Sequence, residues 1–237
     1  MPMNALITGG SRGLGKAVAL ELADAGYDLL LVAKTPKNLD AASREIKSRS
    51  KSRVECFACD LADAGVFSEL AEFAKKNDIM PNVLVLSAGV LIEKDLAAAT
   101  PSDFQKAFEV DFMSAYHCVQ GFIPHLRETP NSRVVFIGST AAHGPFKENP
   151  LCGIAKWALR GYAVNLREEL MNDGISVTYI SPGDALTDQW AGVTFPEGRL
   201  LDPADIGKLV RTVVSLSPQA VVEEIIVRPM LGDIEEY

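Results

Sequence analysis

Residues 4–16 read NALITGGSRGLGK, and this stretch decides the fold. The apolar run ALIT has strand length and enters TGGSRGLG directly, after which apolar residues recur at helical spacing from about Leu14. Gly9, Gly13 and Gly15 therefore stand in a strand-to-helix turn, with Ser11, Arg12 and Leu14 between them. Glycines permit the tight turn and let a pyrophosphate approach the free amides of a helix N-terminus, where the dipole favours negative charge. The context, more than the glycines themselves, points to a dinucleotide site.

Outward from this turn the chain alternates between period-2 and period-3.6 patterns to its end. Strand-like runs are YDLLLVA, RVECFACD, NVLVLSAG, SRVVFIG, GISVTYIS and VEEIIVRP, and helices are expected near 14–25, 39–48, 66–76, 102–126, 151–171 and 203–216. Seven strands with intervening helices predict an α/β, doubly wound parallel sheet of the Rossmann type, with helices on both faces. Thr100-Pro101-Ser102-Asp103 reads as a capping box, and Asp202-Pro203 repeats the cap-plus-proline signature. Residues 183–200 form the least regular segment and are expected to be a lid or binding loop on a single domain spanning 1–237.

Composition sets the outer limits. The 237 residues are 48% hydrophobic and 23% charged, a globular composition, and the net charge of -8 argues against partners such as nucleic acid or an anionic membrane. No stretch has the ~18 apolar residues of a spanning helix, and the N-terminus enters a strand too early for a cleaved signal, so a cytoplasmic protein is expected. Four cysteines, Cys56, Cys59, Cys118 and Cys152, are too few and scattered for a disulfide framework, and no metal site is expected at Cys56/Cys59.

The end of the second strand addresses which nicotinamide dinucleotide would fit. An NAD site places an acid there, about 20 residues past the glycine turn. Here the residues are Ala33-Lys34-Thr35, with no acid between Asp28 and Asp40. Lys34 and Arg12 together suit a 2'-phosphate, which favours NADP(H). Two solvated surface charges are the alternative reading.

The stretch TGGSRGLG, taken with this alternation, resembles the cofactor motif of the short-chain dehydrogenase/reductase family, TGxxxGxG, and the similarity extends over essentially the whole chain. Within the family the chain resembles the NADP(H)-dependent 3-oxoacyl reductase-like members. The resemblance implies hydride transfer between NADP(H) and a small-molecule carbonyl or alcohol. It also implies roles for matching residues: Asp60 with Leu61 at the adenine, Ser87, Ala88 and Gly89 after the fourth strand, and Pro182, Gly183 and Thr187 at the nicotinamide. Ser139 falls on the catalytic serine and Lys156 on the catalytic lysine.

The chain departs from the family at the proton donor. The family's tyrosine lies four residues before the lysine, and here that residue is Cys152; the asparagine of the preceding helix corresponds to Asp111. Tyr162 lies about 240° around the helix from Lys156 and cannot substitute. Lys156 and an oxidised nicotinamide are expected to favour a Cys152 thiolate, with Asp111 and Lys156 holding a donor water, and His143 as another candidate acid. Each residue also has a plainer reading: Ser139 as a turn cap, Lys156 as a ribose contact without turnover, Cys152 as an apolar filler. Two functions follow, an oxidoreductase with an atypical acid, or an NADP(H)-binding pseudoenzyme acting as sensor or partner subunit. Leu91, Phe146, Trp190 and Phe195 are expected to line an apolar pocket, and the apolar surface of helix 151–171 (Ile154, Trp157, Ala158, Gly161, Tyr162) to support a homodimer or homotetramer.

Overall fold

The computed structural model describes residues 3–234. Its strands are β1 (Asn4–Thr8), β2 (Asp28–Ala33), β3 (Val54–Ala58), β4 (Val83–Leu86), β5 (Arg133–Ile137), β6 (Ser176–Pro182) and β7 (Glu224–Val227). All pair in parallel, in the order β3-β2-β1-β4-β5-β6-β7. Register follows the side-chain period of two. Leu6, Leu30, Leu84 and Val134 lie abreast and face one core, while Ile7, Leu31, Val85 and Val135 face the other.

Both faces are covered. Helices α1 (Gly13–Asp24), α2 (Pro36–Arg49) and α7 (Pro203–Ser215) bury Leu22, Leu39 and Val210 on one face. The other receives Leu70, Phe122 and Leu159 from α3 (Val66–Lys76), α5 (Ser114–Glu128) and α6 (Pro150–Leu170). The expected fold class is thus the observed one.

Three boundaries differ from the sequence reading, each for a local reason. Helix α2 begins at Pro36 rather than near Leu39, because proline at the first position is already set for the helix. The single helix expected over 102–126 is divided into α4 (Pro101–Phe108), a π-turn (Glu109–Met113) and α5. The extra residue of the π-turn turns Asp111 inward. Strand β3 ends at Ala58, leaving Cys59 beyond it. The Thr100/Asp103 capping box forms in full, and Asp202 caps α7.

Strand order reverses direction between β1 and β4. The crevice outside their carboxyl ends is where such sheets bind ligands, and the glycine turn opens into it.

Candidate active site

The glycine turn is fixed by backbone contacts. Gly9 and Gly13 have φ of +68° and +54°, a region that side-chain-bearing residues avoid. A side chain on Gly9 would stand 2.9 Å from the Ser87 carbonyl, and one on Gly15 would meet the Gly9 carbonyl. Thr8 Oγ1 accepts the amides of Ser87 at 3.0 Å and Ala88 at 3.3 Å, so the ends of β1 and β4 are tied together. Helix α1 starts here with no side-chain cap and no acid in its first turn. Helices α2 and α3 likewise lack a side-chain cap, whereas α4, α6 and α7 are capped by Thr100, Asn149 and Asp202. An uncapped N-terminus leaves amides and a positive dipole end for an anion.

At the outer lip, Lys34 and Arg12 do lie at the surface, but each has an acidic partner. Lys34 Nζ is 2.6 Å from Asp60 Oδ2, with the lysine side chain 75% exposed. That contact holds the Asp60 carboxyl below its ordinary range. Arg12 and Asp188 are 3.8 Å apart and both largely exposed. Two residues expected to bind different parts of a dinucleotide, Lys34 and Asp60, therefore hold each other, while Ala33 and Leu61 are buried beside them. Thr187 lies against Gly13, its Cγ2 3.6 Å from the position of a side chain there, so the 183–200 segment rests on the glycine turn. The segment is pinched at its base by an Ala185–Leu201 bridge, and Trp190 and Phe195 pack edge to face at 5.1 Å.

The third part of the site is buried. Asp111, Cys152 and Lys156 are 1%, 6% and 7% exposed. A side chain on Gly89 would start 2.9 Å from Asp111 Oδ1 and 3.5 Å from Lys156 Nζ, so the absence of one lets carboxylate and ammonium share that corner. Oδ1 accepts the Val90 amide at 2.8 Å, whereas Oδ2 has no hydrogen-bond partner. Burial raises the Asp111 pKa, against the pull of Lys156, the Val90 amide and the Cys152 thiol. Lys156 Nζ reaches the Ile137 carbonyl at 3.5 Å, two residues before Ser139. Ser139 Oγ accepts the Ala141 amide at 3.1 Å, capping a turn (Thr140–Ala142) against which α6 packs. The hydroxyl retains its own proton to donate.

The surroundings of two candidate proton donors bear on that role. Burial and the adjacent Asp111 push the Cys152 thiol up to about 12, outweighing Lys156. His143 is engaged away from any free proton-donor role, with Nε2 2.8 Å from Ser181 Oγ and 3.4 Å from Glu224, and burial and Arg160 lower its pKa. Tyr162 does face elsewhere, packing at 5.9 Å on Phe112 and 5.8 Å on Phe136, so neither it nor Ala158 adds to the exposed face of α6. Sequence reading missed Tyr179. Its hydroxyl donates to the Lys156 carbonyl at 3.2 Å, and its ring fills the space beside Gly138, immediately before Ser139. The only signal was the small residue at 138.

A doubly wound sheet, a glycine turn at its switch point and a buried lysine corner beside it define a dinucleotide-binding α/β protein. The chain belongs to the short chain dehydrogenase family, whose model matches residues 3–196. A sepiapterin reductase of Chlorobaculum tepidum is 26% identical over 239 residues, covering 98% of each chain. A metagenomic short-chain oxidoreductase solved in complex with NADP is 26% identical, with a TM-score of 0.84 and coverage of 96% and 97%. An NADPH-bound short chain oxidoreductase of Pseudomonas aeruginosa PAO1 containing an atypical catalytic center superposes with a TM-score of 0.87 over 99% of each chain, at 23% identity.

Proposed function

We propose that the protein is an NADP(H)-dependent short-chain oxidoreductase, one domain over 1–237, acting in the cytoplasm on a small, largely apolar carbonyl/alcohol pair. The observation that carries this reading is the convergence of the uncapped glycine turn and the buried Asp111–Cys152–Lys156 corner at one end of the sheet. The residues present fit the cofactor. Gly9 and Gly15 leave a backbone cradle no side chain could share, with Ser11, Gly13 and Leu14 alongside for the pyrophosphate. Lys34 and Arg12 are the cations available to a 2'-phosphate, with Asp60 and Leu61 at the adenine. Ser87, Ala88, Gly89, Pro182, Gly183 and Thr187 would line the nicotinamide end, and Lys156 the adjoining ribose. Exposed Leu91, Leu186 and Val193 supply apolar surface on the two flanking loops.

NADP(H), when bound, supplies or takes up the hydride. The protein's part is the proton. Ser139 donates to the carbonyl oxygen, and the alkoxide that develops takes the proton of the Cys152 thiol. A thiol is a stronger acid than the alcohol formed, so the transfer runs downhill. Lys156 stabilises the resulting thiolate, and a water held between Asp111 and Lys156 returns the proton.

The competing reading is an NADP(H)-binding pseudoenzyme acting as a sensor or inactive subunit. It is favoured by the depth of Cys152 and by the Ser139 hydroxyl already serving as a turn cap. Exposed Ile154, Trp157 and Val164 on α6, with Gly161 between them, support self-association as homodimer or homotetramer in either case. NADPH is expected to bind at least about tenfold more tightly than NADH. A panel of apolar aldehydes and ketones should consume NADPH, and with Cys152 as donor Cys152→Ala and Cys152→Tyr should both abolish that turnover, whereas a rise of about tenfold or more in Cys152→Tyr with Cys152→Ser near neutral would show that the thiol only fills the donor's place. Tight NADPH binding with no turnover in the parent or in Cys152→Tyr would leave the pseudoenzyme reading standing.

A further inference from the structure

The C-terminal tail after β7 folds back onto the base of the 183–201 segment through a set of contacts that no part of the proposed chemistry accounts for. Asp233 is at its centre. Its Oδ1 accepts the Asp184 amide at 3.1 Å, and in return Asp184 Oδ2 accepts the Ile234 amide at 2.6 Å. Asp233 Oδ2 accepts the Thr140 hydroxyl at 3.4 Å, on the residue after Ser139, and Arg228 pairs with the same carboxylate. From the far end of the segment, Arg199 donates to the carbonyls of Gly232 at 2.7 Å and Asp233 at 3.0 Å. Gly183 admits the tail because the Asp233 carboxylate occupies the space of its missing side chain, with Pro229 3.2 Å from the same point.

The chemistry of these contacts is selective. Hydrogen bonds to an ionised carboxylate or from a guanidinium are the strong ones, and Asp184, Arg199 and Asp233 each join pieces of chain that are distant in sequence. Together they join four pieces of chain: the end of β6, the turn after Ser139, the end of the loop at Arg199 and the tail. The Ala185–Leu201 bridge, with Leu186 N–H on Leu201 O and Leu201 N–H on Asp184 O, both at 2.9 Å, closes the base further. What remains outside the clasp is the stretch bearing Thr187, Asp188, Trp190 and Phe195, which lies on the glycine turn through Thr187 and Asp188.

We propose that Asp233 is a positioning residue: the tail clasps both ends of the 183–201 segment and the Ser139 turn, so that the nicotinamide side of the site is preformed rather than assembled on binding. The proposal rests on the oxidoreductase reading for its consequence in catalysis, but the clasp itself is measurable without cofactor. A preformed segment lowers the ordering cost of binding, and releasing it restores that cost.

The test uses the full chain as parent, Asp233→Ala and Asp233→Asn. Without ligand, tryptic cleavage after Arg199 should be about tenfold faster in Asp233→Ala, since removing a charge-assisted hydrogen bond shifts a local opening equilibrium by that order. Amide exchange at Asp184, Leu186 and Leu201 should rise with it, while β1 and β4 amides stay as in the parent. Asp233→Asn keeps an acceptor for the Asp184 amide but not the charge facing Arg228, and should fall between. With NADPH, Asp233→Ala should bind about threefold to tenfold more weakly, and KM for NADPH should rise more than kcat falls. A chain ending at Arg228 should repeat the cleavage result. Unchanged cleavage and exchange in Asp233→Ala overturns the clasp, whatever the activity. Enhanced cleavage with NADPH binding unchanged overturns the positioning role, and a parent that binds no NADPH at all overturns the oxidoreductase reading while the cleavage result still decides the clasp.

Discussion

The two halves of the candidate site are built by opposite means. Around Gly9 and Gly15 the geometry is set mainly by backbone, with the closest approaches made to the carbonyls of Ser87 and Gly9 and the local charges left to solvent. Around Asp111, Cys152 and Lys156 it is set by side chains almost wholly removed from water, one of which keeps an orphaned oxygen. The first half has no tolerance for added atoms but stores no electrostatic cost. The second tolerates changes of shape, yet holds a carboxylate that burial disfavours. Substitutions should therefore fail differently in the two places, sterically in one and through protonation state in the other.

The largest effect is expected where the backbone leaves no room. Gly15→Val would drive a branched side chain into the Gly9 carbonyl, which is backbone and yields only if the turn deforms. NADPH affinity should fall on the order of 100-fold and the melting temperature should drop, because relief requires the turn to deform. Retention of parent affinity in a direct titration would show that the turn is more plastic than its contacts indicate.

Asp111→Asn tests the other half, and the expected sign is unusual for a change in a site. The folded-state pKa of Asp111 is raised, so its stabilising contribution is complete below the unfolded carboxyl pKa and is lost as pH rises through the folded value. Above the folded value the ionised group is a burden, and there its amide should be more stable, by about 2–4 °C for each kcal/mol relieved. Below pH about 4 the difference should vanish. The same change removes the main charge opposing ionisation of Cys152 and leaves Lys156 unopposed. Site-resolved alkylation by iodoacetamide at pH 8 should then be at least about tenfold faster at Cys152, one pKa unit being a tenfold change in thiolate. Lys156 and Asp111 are the charged neighbours of the thiol, and Tyr179, whose pKa burial raises, stays neutral throughout. Alkylation that slows would mean that Asp111 does not hold the thiol protonated, and the proton path proposed for it would go with it.

This contrast also explains what could be read from sequence. The glycine turn, the alternation of strands and helices and the switch point were legible because each is written in local pattern: ALIT before TGGSRGLG, period 2 against 3.6. The π-turn was not, since EVDFM continues the apolar spacing of the helices on either side and only the packing of Asp111 under Gly89 reveals the extra residue. For Cys152 the sequence brings Lys156 and Asp111 beside the thiol, but not the depth of the corner, and burial is what raises the thiol most. Contacts such as Asp233 with Asp184, 49 residues apart, or Tyr179 with Lys156, 23 apart, carry no local signal at all.

The smallest expected effect lies at the boundary between lid and glycine turn. Arg12 and Asp188 form a pair 3.8 Å apart with side chains 69% and 65% exposed, a geometry that contributes little to stability. Asp188→Asn should change unfolding free energy by less than about 0.5 kcal/mol. Its consequence should appear in cofactor choice instead, because the carboxylate competes with a 2'-phosphate for the Arg12 guanidinium and repels the phosphate directly. NADPH affinity should rise about twofold to threefold at low ionic strength and NADH affinity should not move, since only the phosphorylated ribose senses Arg12. Near 1 M salt, where the screening length is about 3 Å, the gain should disappear. If NADPH affinity falls instead, Asp188 acts by holding Thr187 and the lid against Gly13 rather than by occupying Arg12, and the boundary between the two halves is then set by closure of the lid and not by charge.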